Sequence, residues 1–222
     1  MITKLPNWIE YGAFLLAAIA GFVNSVGLLG LDHVALSHVS GTTSLFGVAI
    51  FEGAMTDAGL LAALLCAFFL GSVISGLVVR DTALRLDRRY DTALMVEALL
   101  ILVAYGLLSA GSPFGHLAAA MACGVQNALA TTYSGAVVRT THLTGIFTDL
   151  GIMVGSFLRG ETFGKRKAIL FLLIIGGFVA GGAAGAWLFG LFGFGALLAP
   201  ALMCAALALA FRVYRAAQLT GR

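Results

Sequence analysis

The sequence predicts an all-α, polytopic transmembrane helical bundle of two four-segment repeats, the second inverted relative to the first, with short glycine-broken second and sixth segments. Three observations lead there. Charged residues are 10% of the 222-residue chain and apolar residues 60%, with a mean hydropathy of +1.02, whereas about a quarter of a soluble domain is charged. A signature occurs twice, His38-Val39-Ser40-Gly41 with Ser44 and Gly47 behind it, and His142-Leu143-Thr144-Gly145 with Thr148 and Gly151 behind it. Each copy follows an apolar stretch carrying Gly-x-x-Asn, Gly21 to Asn24 and Gly124 to Asn127, so the halves align at an offset of 103 to 104 positions. The third observation is that the 13 Lys and Arg residues sit at the ends of hydrophobic runs.

A membrane-spanning helix needs about 20 mostly apolar residues, and the elements follow in order. Pro6 and Trp8 introduce a first helix from about Ile9 to Gly30, with Trp8 and Tyr11 at the interface that aromatic side chains favour. Reading residues 1–30 as a signal peptide cleaved after Ala18-Ile19-Ala20 would remove most of a helix whose twin is internal, and is set aside. After the polar break Leu31-Asp32-His33, a short segment from Val39 to about Ala54 is interrupted by Gly41, Gly47 and Gly53. A third helix runs from about Ala58 to Val79, a basic loop holds Arg80, Arg85, Arg88 and Arg89, and a fourth helix covers Thr92 to Ala110. The turn Gly111 to Gly115 has the Gly and Pro punctuation of a tight connection.

The order then repeats: a helix from His116 to about Ser134, a short segment Leu143 to Leu158, a basic loop with Arg159, Lys165, Arg166 and Lys167, and two further apolar runs. The seventh, Ala168 to Gly190, carries Gly177, Gly181 and Gly185 on one face, where another backbone can approach closely. The last, Gly195 to Phe211, contains Pro200 as an expected kink. The repeats are residues 1–111 and 112–222.

Orientation decides the kind of repeat. Eight full crossings would place the Arg80 to Arg89 loop outside, against the positive-inside tendency. If the second and sixth segments instead enter and leave on one side, each half crosses three times and all 13 basic residues fall on the cytoplasmic face. Three crossings per half invert the second repeat, and in such architectures short or broken segments at matching positions mark a midplane site. The chain is therefore expected to be a multi-pass protein of the cell inner membrane with cytoplasmic N- and C-termini.

The repeated motif has chemistry to offer. A helix start leaves backbone N–H groups unpaired, for which Ser40 and Thr144 are expected N-caps. Gly41 and Gly145 admit a close ligand, and the positive end of the helix dipole favours an anion or carboxylate where the two starts meet. Asn24, Thr42, Gln126 and Asn127 add donors and acceptors suited equally to an uncharged or zwitterionic solute. His38 and His142 are candidate gates. Asp149 lies in the sixth segment, where a carboxylate costs about 2.5 to 3.5 kcal/mol on insertion scales and is a functional candidate by default. Glu97 and Glu52 are expected to reach water. Each of these polar residues also has a plain reading as interhelical packing.

Other classes are poorly supported. Metal-ligand clusters, Gly-x-Ser-x-Gly elbows, phosphate loops and paired carboxylates are missing from the sequence, so neither an enzyme nor a bound cofactor or metal is expected. Cys66, Cys123 and Cys204 read as free buried thiols. The scattered basic residues do not make a nucleic-acid surface.

Ala20-Gly21-Phe22-Val23-Asn24, His38-Val39-Ser40-Gly41, Gly124-Val125-Gln126-Asn127-Ala128 and Thr141-His142-Leu143-Thr144-Gly145 with Asp149-Leu150-Gly151 resemble the YoaK family of bacterial integral membrane proteins, a domain of unknown function. That family resembles Gly-x-x-Asp in the first helix and His-Met-Thr-Gly-Asn in the second segment. Here Asn24 stands in place of the acid, Ser40 of the threonine and Thr42 of the asparagine, which shifts a coupling role toward Asp149. The resulting expectation is a small transporter of an unidentified solute, with an ion or solute channel and a non-transporting membrane interaction protein as alternatives. Its partners would be the lipid bilayer and a small solute, with homo-oligomerisation left open.

Overall fold

The computed structural model describes residues 7–31, 33–79, 90–133 and 140–220, and within them every regular element is helical. The helices are α1 (Asn7–Gly30), α2 (Val39–Phe51), α3 (Met55–Val78), α4 (Tyr90–Ser109), α5 (Phe114–Tyr133), α6 (Leu143–Leu158), α7 (Lys165–Phe192) and α8 (Leu198–Thr220), with a 3-10 turn, Gly193–Leu197, between the last two. Four apolar stretches are long enough to cross a bilayer: Glu10–Gly30, Met55–Val78, Tyr90–Ser109 and Lys165–Ala216, the last broken by the 3-10 turn. Helix α5 has 20 residues but is more polar, since it carries His116, Gln126 and Asn127. It needs less apolar surface because it is enclosed by protein: Ala119, Ala120, Ala122, Cys123, Val125 and Gln126 are all buried.

Lipid is the solvent this fold requires. Phe51, Leu77, Leu158, Leu172, Trp187 and Leu202 lie more than half exposed, an outer surface that water would not tolerate over so many contiguous helical faces.

Close contacts fix the direction of each helix. Along α1 and α7, Cβ atoms at Gly177, Gly181 and Gly185 would run into the carbonyls of Phe14, Ala18 and Phe22, and Glu10 pairs with Arg166 at 3.2 Å. The two helices therefore run side by side in the same direction, and the glycine stripe serves close backbone approach, as its spacing predicts. Helix α5 runs opposite to α1: Gln126 donates to the Leu16 carbonyl near one end, and Val23 and Val26 share a pocket with His116 and Ala119 near the other. The turn after α4 folds α5 back on it, with Gly115 against Leu108 and the Ala104 carbonyl. Asp91 at the start of α4 meets Arg212 of α8 at 2.8 Å while Leu108 and Leu197 share the far end, so α4 and α8 are antiparallel. The end of α3 packs with the start of α4 and the end of α5, through Val79, Tyr90 and Leu129. In chain order α1, α3, α4, α5, α7 and α8 thus alternate in direction.

A charge asymmetry follows. The six described basic residues, Arg159, Lys165, Arg166, Lys167, Arg212 and Arg215, all lie at the end of the bundle where α1, α4 and α7 begin. The other end holds Glu52 and Asp57 and no Lys or Arg among the described residues. Lys4, the Arg80 to Arg89 loop, Arg139 and Arg222 lie outside the described residues.

Two expectations need correction. Pro200 does not kink α8; it sits in the first turn, where a missing N–H leaves no bond broken. Cys66 is exposed on α3 rather than buried, while Cys123 and Cys204 are buried as expected.

Candidate functional site at the starts of the two short helices

The Gly-x-x-Asn motif has two separate jobs, and both occur twice. A Cβ on Gly21 would collide with the Phe178 carbonyl of α7, and one on Gly124 with the Phe68 carbonyl of α3. Reciprocally, Gly181 of α7 meets the Ala18 carbonyl and Gly71 of α3 the Met121 carbonyl. Ser72 of α3 strengthens its crossing by donating to the Gly124 carbonyl at 3.2 Å. Each glycine therefore brings two backbones together, and the asparagine three residues later is left facing the chain that follows its own helix.

That asparagine pins the chain. Asn24 Oδ1 accepts from the Ser37 N–H at 3.1 Å and the Ser37 hydroxyl at 2.9 Å. Asn127 Oδ1 accepts from the Thr141 hydroxyl at 2.9 Å. Both asparagines lie six residues before the end of their helix, about 9 Å back along the axis at 1.5 Å per residue. After leaving α1, then, the chain folds back into the bundle before α2 starts, and Leu36 packs against Gly27 on the way. The start of α2 comes to rest with the His38 ring 5.8 Å from that of Phe178, midway along α7. Helix α2 then rises again with 13 residues, shorter than the expected 16, and turns at 52–54 into α3. Helix α6 likewise starts just after a residue pinned to the preceding helix, Thr141 to Asn127, and turns at 159–164 into α7 at the opposite, basic end.

The helix starts differ from expectation by two residues. His38 and His142 occupy the cap positions without a side-chain cap bond, and Ser40 and Thr144 are already inside the helices. Their carbonyls accept from Ser44 at 3.1 Å and Thr148 at 2.9 Å. Both side chains are exposed, as is Gly41. Thr42 is buried instead, its hydroxyl reaching the Ala35 and His38 carbonyls at 3.1 and 3.2 Å, with apolar Ile146 buried at the matching place in α6. A Cβ on Gly145 would strike the His142 ring, so this glycine makes room for the imidazole. Helices α2 and α6 do not touch, and the expected meeting of Gly41 with Gly145 is not made. The reason is that α2 packs on α3, whereas α6 packs on α7.

Asp149 has a partner from outside its own helix. Its side chain is 45% exposed and pairs with Lys167 at 3.1 Å, the lysine stem lying over the Phe171 ring. Only Ile146 of α6 is buried, so the aspartate is on an open face that the returning α7 can reach. Glu97 behaves in the opposite way. It does not reach water from α4 but is 1% exposed, with Oε2 lacking a hydrogen-bond partner among the described residues. Glu52 is exposed, as expected.

Sequence reasoning missed Ser37 and Thr141, the partners that explain the asparagines. The signal was present, since [Ser/Thr]-His precedes both copies at the same offset. Among the described residues no three His, Cys, Asp or Glu side chains converge as metal ligands. A shallow apolar cleft lined by Val23, Val26, Leu36, His116, Ala119 and Phe194 contains none of the predicted site residues.

A family model described as "Protein of unknown function (DUF1275)" matches residues 12–210, spanning all eight helices and both copies of the pinned motif. The chain belongs to this family. It is the YoaK family that the repeated motifs resemble. No curated protein and no solved structure matches the chain. Membership thus agrees with a helical, apolar membrane protein and brings no substrate with it.

Proposed function

We propose that the chain is a small secondary transporter built from two inverted repeats, with its solute site at the re-entrant starts of α2 and α6. One observation carries this reading: two fold-back segments, pinned by Asn24–Ser37 and Asn127–Thr141, enter from opposite ends of the bundle and begin their helices inside it. Short interrupted helices at matching positions in two halves are the arrangement by which such proteins offer backbone dipoles to a solute at the midplane. The alternating helix directions support inversion, because each helix of the first half runs opposite to its counterpart in the second.

The faces that α2 and α6 leave open support a polar role. Ser40, Gly41, Ser44 and Gly47 on α2, and Thr144, Thr148 and Gly151 on α6, are exposed. A face needed only to meet lipid would gain from larger apolar side chains, at about 25 cal/mol per Å² of apolar surface kept from water. The basic end supports a cytoplasmic placement of both termini in a bacterial inner membrane.

The test is a thermal-shift screen of the purified protein against small metabolites and ions, followed by uptake of each stabilising compound into proteoliposomes. Binding raises the unfolding midpoint by mass action. Saturable uptake that responds to an ion gradient is the expected result. Unsaturated single-channel currents would make it a channel, and failure of any compound to bind or move would leave a membrane protein whose repeats serve packing alone.

A further inference from the structure

One deeply buried carboxyl takes no part in the site just described. Glu97 lies seven residues into α4 and is 1% exposed, with Oε2 unpartnered among the described residues. It faces the thiols of Cys204 on α8 and Cys123 on α5. These are the titratable side chains turned toward it from the elements packed on α4. Helix α3 carries only exposed Cys66 and terminal Asp57, and the 193–197 turn carries none. The nearest described cations, Arg212 and Arg215, are engaged by Asp91 at 2.8 and 3.9 Å. Asp91 is six residues, or about 9 Å, back along the helix.

The fold does not need an acid there. The buried positions Leu94, Glu97 and Ile101 of α4 recur in α8 as Ala201, Cys204 and Ala208, so Cys204 stands in the twin helix where Glu97 stands in α4. A thiol rather than a carboxyl thus fills the matching position, while Glu97 incurs the desolvation of a carboxyl with one oxygen unsatisfied and no cation beside it among the described residues. The buried side chains of α4 and α8 include small ones, Ala93, Ala98, Ala201, Cys204 and Ala208, together with the large Leu94 and Ile101.

We propose that Glu97 is a proton-exchange site at the α4–α8 contact, holding a proton while the helices are closed and releasing it when they part, and so coupling proton movement to solute transport. This rests on the transporter reading above. The carboxyl oxygen binds and loses only a proton, delivered from and returned to water on either side.

The experiment is infrared difference spectroscopy, acid minus alkaline buffer, on the full chain in lipid nanodiscs. The expected result is a carboxylic-acid C=O band that is lost in Glu97→Gln and displaced in Cys204→Ser, because the thiol faces that carboxyl. A wild-type spectrum unchanged by both substitutions would overturn the proposal. Should Glu97→Gln fail to fold, the Cys204→Ser displacement alone decides the assignment. In proteoliposomes with a solute identified by screening, Glu97→Gln should retain downhill exchange and lose accumulation driven by a pH gradient; full accumulation would refute coupling. If the wild type moves no solute, the transporter reading fails while the infrared result stands by itself.

Discussion

The two fold-back segments share one plan and differ in how firmly each is held. In the first, Asn24 is 2% exposed and accepts two bonds from Ser37, Thr42 is buried against two carbonyls, and α2 packs along α3. In the second, Asn127 is partly exposed and accepts one bond from Thr141, Ile146 is the one buried residue of α6, and an exposed ion pair ties the helix to α7. The lesson is that the polar pin is what both copies retain, while the packing around it has diverged. Among the described residues the first copy is the more firmly anchored of the two.

That contrast sets a ranking of effects. Asn24→Ala takes the shared acceptor from both donors of buried Ser37 and should lower stability by about 2 kcal/mol, within the range for a buried donor left unpaired. Asn127→Ala loses the one side-chain bond it makes among the described residues, nearer the surface, and should cost about 1 kcal/mol or less, the range of interhelical bonds in membranes. Unfolding titrations in mixed micelles would measure both, and equal losses would erase the distinction. The smallest effect is expected from Thr42→Val. It imitates the apolar residue that α6 already accepts, so a change under about 1 kcal/mol should result; a loss as large as that of Asn24→Ala would mean that the hydroxyl, not the asparagine, anchors α2.

Much of this plan was legible in the sequence, and the exceptions have physical causes. The short second and sixth helices, the glycine stripe of α7 and the turn 111–115 depend on local spacing, which a sequence states directly. The asparagines were read as solute ligands because their partners lie 13 and 14 residues away, beyond the reach of helical periodicity. The partner of Asp149 is not legible in the sequence because Lys167 reaches it only once the chain turns back at 159–164. Glu97 looked able to reach water because α4 is apolar on every side, a pattern in which periodicity cannot distinguish the lipid face from the buried one.

The central claim is that each fold-back segment enters and leaves on its own side, so the α2–α3 turn and the α6–α7 loop lie on opposite faces. In intact cells, in a background lacking Cys66, Cys123 and Cys204, Asp57→Cys should be labelled by an impermeant thiol reagent and Lys165→Cys should not. Labelling of both positions, or of Lys165→Cys alone, would contradict the account.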